Sequence, residues 1–177
     1  MMTILRSVPN QLKLGDGTEV TFRVIQPEDA DIEQAFVKSL STESRYSRFF
    51  SASKQLSPVM LLQFTHPNFP DTYALIATVI ENGKENEIGV ARYAAINDEG
   101  DAEFAVVVAD AWQRQGIASH LLEGVTATAS TAGFMKLEGL VLKDNRAMLG
   151  LASKQGFVRS SVEDDPSVVR VVKDLRS

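Results

Sequence analysis

The sequence contains no cysteine and only two histidines among its 177 residues. Without cysteine the chain can form neither a disulfide nor a thiolate metal site, and no thiol can act as a nucleophile. The two histidines, His66 and His120, are far apart in the sequence and too few for a typical zinc site. We therefore expect no metal cofactor, and any covalent catalysis through cysteine is excluded.

Long apolar runs and a strong charge bias are also absent. No apolar segment approaches the roughly 20 residues of a membrane-spanning helix, and the N-terminus lacks the pattern of a secretory signal. The formal net charge is −5, with both signs interspersed, which argues against a general nucleic-acid binder. We expect a cytoplasmic protein with neither membrane nor nucleic-acid partners. The length and the absence of repeats or linkers predict one domain over residues 1–177.

The segment 101–132 organises the rest of the chain. Residues 104–109 form a β-branched run typical of a buried strand, and from 117 to 131 apolar residues recur with the period of an amphipathic helix. The turn between them ends at Gly116. The first N–H groups of such a helix have no intrahelical partner and carry partial positive charge, which suits a phosphate. Gly116 and Ala118 would let that ligand approach the backbone closely.

Alternating or β-branched segments predict the remaining strands. They lie at 12–14, 18–25, 73–80, 87–96, 102–109, 136–142 and 168–175, with one more starting at Phe157. Helices are predicted from Pro27 to Leu40, from Ser41 onward, and at 58–64, 117–131 and 145–155. The strands between 73 and 109 indicate an antiparallel meander, whereas the later strand–helix–strand order predicts a parallel pair. The predicted fold class is α/β: a mixed, mostly antiparallel sheet with a central parallel pair and helices on both faces.

Three motifs in this order of elements resemble the GNAT superfamily of acetyltransferases. Gln113-Arg-Gln-Gly-Ile-Ala is similar to its [Gln/Arg]-x-x-Gly-x-[Gly/Ala] pyrophosphate loop, and Asn145 with Gly156-Phe157 resembles its pantetheine-flanking helix. Ser44-Arg-Tyr-Ser-Arg-Phe-Phe with Ala102-Glu-Phe-Ala-Val-Val-Val is similar to the GNAT domain of bacterial protein-lysine acetyltransferases. In those proteins the domain is often joined to an acyl-CoA-synthetase-like or nucleotide-binding region, and we expect none here.

The resemblance implies acetyl-CoA as co-substrate, held largely by backbone groups. The loop N–H groups would bind the pyrophosphate, Gln113 would fix the entry of the loop, and the end of the preceding strand would pair with the pantetheine arm. The implied cofactor-binding residues are Val106, Val107, Val108, Gln113, Arg114, Gln115, Gly116, Ile117, Ala118, Ser119 and Asn145. Taken as a residue alone, Asn145 is equally a helix N-cap, and one side chain can serve both roles.

Glu103 is the candidate catalytic residue. A lysine amine, with a pKa of about 10.4, is neutral in only about one of a few thousand molecules at pH 7, so a general base is useful. Glu103 matches the Glu of the lysine-acetyltransferase motif; the alternative is a solvated acid in the turn near Asp98 and Asp101. Ala152 replaces the Tyr with which many GNAT enzymes protonate the leaving thiolate. We expect direct transfer, with coenzyme A leaving as thiolate or taking a proton from water.

The acceptor amine is less well determined than the donor. A protein lysine is favoured, a small amine is the runner-up, and a non-catalytic acyl-CoA-binding regulatory module is an alternative of another class. We expect the helix carrying Tyr46, Arg48 and Phe49 to wall the acceptor site, although aromatics at this spacing are also typical of a core. His66 and Tyr93 are weaker candidates, and His120 is expected to be exposed. Exposed strands in such a fold often pair, so a homodimer is compatible with the sequence.

Overall fold

The computed structural model describes residues 10–49 and 53–176. Its strands are β1 Gln11–Lys13, β2 Glu19–Val24, β3 Thr72–Glu81, β4 Lys84–Ala95, β5 Asp101–Val108, β6 Lys136–Leu142, β7 Val158–Ser161 and β8 Val168–Asp174. Its α-helices are α1 Ala30–Ser39, α2 Thr42–Phe49, α3 Pro58–Thr65, α4 Ile117–Thr131 and α5 Arg146–Lys154. Short 3₁₀ turns span Pro27–Asp29 and Asp110–Trp112.

All eight strands form one sheet in the order β1-β2-β3-β4-β5-β6-β8-β7. Neighbouring strands are antiparallel throughout, except that β5 and β6 are parallel. Helix α4 connects these two, as a parallel pair requires. The predicted α/β class, with its mostly antiparallel sheet and central parallel pair, is therefore confirmed.

Helices cover both faces of the sheet, as predicted. On one face α4 packs against β3, β4 and β5, and its Leu121, Leu122 and Val125 are fully buried. On the other face α1 lies over β4, where Phe36 packs in a second cluster that includes Val90. Burying each such side chain contributes about 1.5–3 kcal/mol, so the two clusters hold the central strands from both sides.

The first helix begins later than the sequence predicts. Pro27–Asp29 forms a 3₁₀ turn, and the α-helix starts only at Ala30. The Asp29 carboxylate explains the delay: it accepts the Gln26 N–H at 2.7 Å and two N–H groups of Arg23 at 2.7 and 2.8 Å. These bonds close the chain on itself before a regular helical turn can form. At its other end Leu40 adopts an extended conformation and ends the helix.

The described helices include none that combines the length and the apolar character needed to cross a membrane.

Candidate active site

The parallel strands β5 and β6 separate after a short paired stretch. Their register runs from Asp101 opposite Lys136 to Glu103 opposite Glu138, yet β5 continues to Val108 and stays paired with β4. Because both strands continue without pairing, they diverge, and we call the opening beyond Glu103 and Glu138 the fork. Within the described residues, the edge of β5 that faces the fork has no partner strand. An extended ligand that carries amide groups can pair with such an edge.

The backbone of the loop between β5 and α4 alternates between left-handed and ordinary conformations. Arg114 has a φ of 65° and Gly116 a φ of 86°, both in the left-handed region, while Gln115 between them does not. Alternation of this kind forms a concave nest of N–H groups that binds anions, and the first turn of α4 adds its own. A Cβ on Gly116 would meet nothing within 4 Å, so glycine is required there for its conformation and not for space.

Gln113 and Asp110 fasten this loop to its surroundings. The Gln113 side chain donates to the carbonyl of Val108, the last residue of β5, at 2.9 Å and to the Ser44 hydroxyl at 3.4 Å. The Asp110 carboxylate accepts from the N–H and hydroxyl of Ser41, at 3.1 and 2.8 Å, and from Ser44 at 3.1 Å. The start of α2 is thereby tied to the loop. Sequence reasoning missed this link, because Ser41 and Ser44 had only the pattern of a helix start.

Asn145 caps α5. Its side-chain oxygen accepts the N–H of Met148 at 3.2 Å, so the capping alternative is observed, and a role toward a ligand stays a prediction. At the other end of α5, Gln155 donates to the Ser119 carbonyl at 3.0 Å and to its hydroxyl at 3.2 Å. This bond joins the end of α5 to the start of α4. Nothing in the sequence distinguished Gln155 from other polar residues at a helix end.

Ala152 lies fully buried in the core and has no group that could donate a proton. The next residue, Ser153, is exposed, and its hydroxyl accepts from Arg159 at 3.4 Å.

Glu103 stands at the base of the fork. It is opposite Ala94 of β4 on one side and Glu138 of β6 on the other. The Glu103 side chain is exposed to solvent, yet the protein around it partly desolvates its carboxyl and so raises its pKa, and the negative charge of Glu138 raises that pKa further. The cations Arg48 and Arg170 act in the opposite direction. The net effect is a carboxylate that accepts a proton more readily than an ordinary glutamate.

Arg48 brings α2 to the side of Glu103. Its guanidinium carbon lies 4.8 Å from the ring centre of Phe49 and 5.8 Å from that of Phe64. Burial lowers the pKa of Arg48 to about 10, and the neighbouring charge of Arg92 adds to the effect. Arg92 in turn stacks over Phe64 at 4.1 Å and donates to its carbonyl at 2.7 Å. Arg48 and Phe49 therefore border the same side of the sheet as Glu103.

The remaining candidates from the sequence lie in different environments. Tyr93 is a core residue whose hydroxyl donates to the Pro70 carbonyl at 2.9 Å, so it does not serve the site. His66 is exposed at the end of α3. His120 was expected to be exposed, and this is wrong: it is half-buried because its ring stacks on Phe22 with centroids 5.4 Å apart. Tyr46 is about half exposed.

Within residues 10–49 and 53–176, no group of three or more histidine, aspartate or glutamate side chains is arranged to hold a metal ion. A concavity of about 400 Å³ lies at the β7–β8 hairpin, where Lys143, Arg159 and Asp165 are among the residues that line it. None of the residues implied for cofactor binding borders it.

Comparison with known proteins agrees with this geometry. Residues 19–158 match the family described as the acetyltransferase (GNAT) domain. An acetyltransferase of Pseudomonas aeruginosa is 35% identical over 156 residues, which cover 88% of this chain and 84% of that protein. The acetyltransferase Pat of Mycolicibacterium smegmatis is 26% identical over 176 residues. That match covers 99% of this chain but 51% of Pat, so the chain spans about half the length of this relative.

Solved structures show the same similarity. The GNAT domain of S. lividans PAT has a TM-score of 0.82 and 32% identity, over 93% of this chain and 95% of that one. A cAMP-binding acyltransferase from Mycobacterium smegmatis has a TM-score of 0.62 at 21% identity, over 99% of this chain and 50% of that one. The second likeness is one of fold alone.

Proposed function

The chain belongs to the GNAT acetyltransferase family, and from this premise we propose that it transfers the acetyl group of acetyl-CoA to a lysine amine of another protein. The family uses acetyl-CoA as its co-substrate. One observation carries the proposal: Glu103, with its raised pKa, is the last residue of β5 that pairs with β6 before the fork. A proton acceptor therefore adjoins the slot in which a thioester would lie. The resemblance to protein-lysine acetyltransferases supports lysine as the acceptor.

Donor binding would use backbone groups on both sides of the turn. The N–H groups of the loop from Arg114 to Ser119 would hold the pyrophosphate, since Arg114 and Gly116 shape that loop into an anion-binding nest. The free edge of β5 at residues 106–108 would pair with the amides of the pantetheine arm. Gln113, which bonds to the Val108 carbonyl, would keep the two sites at a constant separation. The thioester would then reach the base of the fork.

Transfer would begin when Glu103 removes a proton from the acceptor ammonium, directly or through a water molecule. The neutral amine attacks the thioester carbonyl, forming the C–N bond, and a backbone N–H between Val106 and Val108 stabilises the oxyanion. The C–S bond then breaks, and the nitrogen releases its second proton to water to become the amide. Because Ala152 offers no proton, the thiolate leaves as such or is protonated by water. The products are an acetylated lysine and coenzyme A.

The test is thiol release from acetyl-CoA with a panel of purified proteins and small amines, comparing the wild type with Glu103→Gln. We expect release with protein acceptors, and a turnover roughly 10²–10⁴-fold lower in the variant, the usual contribution of a general base. Acetyl-CoA affinity should be unchanged, because the binding groups lie elsewhere. Glu99→Gln is the matched control, since it removes a nearby exposed carboxylate from the turn before β5.

Thiol release with small amines but with no protein would mean that the acceptor is a small amine and not a protein lysine. No release with any acceptor, although acetyl-CoA still binds, would contradict catalysis and favour a regulatory acyl-CoA-binding module.

A further inference from the structure

Glu138 shares the base of the fork with Glu103. The two residues are opposite each other in the last register of the parallel pair. Residues paired in this way on adjacent strands project from the same face of the sheet, and the strands lie about 4.8 Å apart. Two carboxylates therefore stand side by side where the proposed thioester slot begins. The proposed chemistry uses only one of them.

Arg170 of β8 binds the second carboxylate. Its Nε lies 3.3 Å from Oε2 of Glu138, and the side chains of Arg170 and Glu138 are 43% and 24% exposed. A row of charges thus crosses three adjacent strands: Glu103 on β5, Glu138 on β6 and Arg170 on β8. Solvent reaches this row, so an incoming cationic amine can reach it too.

Glu103 meets other charges from the elements around it. Arg48 approaches from α2, and Asp101 lies two residues earlier on β5, on the same face and opposite Lys136. The β4 neighbour, Ala94, is neutral. Asp101 and Lys136 carry opposite charges, so their effects on Glu103 oppose each other. The unbalanced influences are those of Arg48, Glu138 and Arg170.

We infer that Glu138 and Arg170 are positioning residues for Glu103: the Glu138 carboxylate keeps Glu103 a strong proton acceptor, and Arg170 holds Glu138 in place and limits its charge. This inference rests on the proposed function, since it assigns a role only if Glu103 is the base. Neither residue has to touch the reacting atoms. Both would act through the electrostatic potential at the Glu103 carboxylate.

The two positioning residues have opposite effects, and this makes the inference testable. Removing the negative charge of Glu138 should lower the pKa of Glu103, and removing the positive charge of Arg170 should raise it. In a water-like dielectric, a unit charge about 5 Å away shifts a pKa by about half a unit, and one about 10 Å away, two strand spacings, by about 0.3 unit. The acidic side of the plot of kcat/KM against pH should move down in pH for Glu138→Gln and up for Arg170→Gln, because it follows the pKa of the base in the free enzyme.

The experiment is a ¹³C NMR titration of the Glu103 carboxyl in the whole protein, as wild type, Glu138→Gln and Arg170→Gln. The signal is assigned by its loss in Glu103→Gln. We expect the Glu103 midpoint about half a unit lower in Glu138→Gln and about 0.3 unit higher in Arg170→Gln, because Arg170 lies one strand further away. Two control variants remove charges of the same signs elsewhere: Glu19→Gln on β2, and Arg176→Gln in the exposed ion pair with Asp174 at the end of β8. Both should move the Glu103 midpoint little.

The pH dependence of kcat/KM is then measured with the best acceptor of the thiol-release panel. An unchanged Glu103 midpoint, or shifts of one sign in both variants, would overturn the positioning role even if Glu103→Gln abolishes turnover. If the two variants shift the Glu103 midpoint in opposite directions but leave the low-pH limb of kcat/KM unchanged, the positioning role is also overturned. That result removes Glu103 from the rate and marks a failure of the proposed function itself.

Discussion

At the scale of single residues, a second carboxyl pair lies buried beneath α1. Glu33 is 1% exposed and Glu87 6%, and Oε2 of Glu33 lies 3.0 Å from Nη2 of Arg92. Burial raises the pKa of Glu87 well above its ordinary value, and the negative charge of Glu33 adds to this. The folded protein therefore keeps Glu87 protonated to a higher pH than the unfolded chain does.

Glu87→Gln should make the stability of the protein less sensitive to rising pH. Because the pKa of Glu87 is higher in the folded state than in the unfolded chain, its contribution is complete below the unfolded value of 4.5 and is lost as pH rises through the folded pKa. In that window the free energy of unfolding falls by about 1.4 kcal/mol per pH unit for this proton. Glutamine keeps the shape of the side chain but has no proton that titrates in this range.

Urea unfolding between pH 5 and pH 9 measures this difference. The wild type should lose stability more steeply than Glu87→Gln as the pH rises. Glu33→Gln is the control, since it leaves the buried guanidinium of Arg92 without its ion pair and should destabilise the protein at every pH. Parallel pH profiles for the wild type and Glu87→Gln would contradict the raised pKa of Glu87.

At the scale of elements, two substitutions at the start of α5 can show whether Asn145 only caps that helix or also binds acetyl-CoA. Asn145→Ser retains an oxygen that can accept the Met148 N–H, whereas Asn145→Ala loses the cap and should cost about 1 kcal/mol of stability. Neither variant retains the amide N–H₂. If that group binds the pantetheine arm, both should bind acetyl-CoA roughly 2–10-fold more weakly, the effect of one lost neutral hydrogen bond.

Calorimetric titration with acetyl-CoA and urea unfolding of both Asn145 variants separate the two roles. A serine variant that binds acetyl-CoA as tightly as the wild type would leave Asn145 a capping residue alone.

The elements that the sequence predicts well are those in which one local pattern dominates. The period of α4 and the alternation of β2 required no tertiary information, and both appear close to their predicted bounds. The start of α1 was mispredicted because the Asp29 carboxylate bonds to Arg23, a contact invisible in local pattern. The link from Gln155 to Ser119 spans 36 residues and has no sequence signal at all. Motifs thus located the loop, and tertiary packing supplied the contacts that hold it.

At the scale of the whole molecule, the fork divides the sheet into β1–β5 and β6–β8. Within the part of the chain that the structure describes, these parts are joined in the sheet only through the short parallel register that ends at Glu103 and Glu138. The sequence could not predict where this register ends, because the end depends on packing between residues far apart in the chain. Phe104, the first residue beyond the register, lies over Gly139, and its ring also packs against Phe157 with centroids 5.1 Å apart. The absence of a side chain at Gly139 makes room for that ring.

Gly139→Ala should therefore disturb the fork and the fold together. A Cβ at this position would lie 2.7 Å from Cε1 of Phe104, so the buried ring must move. Overpacking of this kind costs about 1–3 kcal/mol, and a displaced Phe104 should also weaken acetyl-CoA binding along β5. Gly150→Ala is the matched control: its Cβ meets nothing within 4 Å inside α5, so it should stabilise the protein by about 0.4–1 kcal/mol. Urea unfolding and acetyl-CoA titration of both variants measure these effects. A Gly139→Ala protein that is as stable as the wild type and binds acetyl-CoA as tightly would show that the Phe104–Gly139 contact does not maintain the fork.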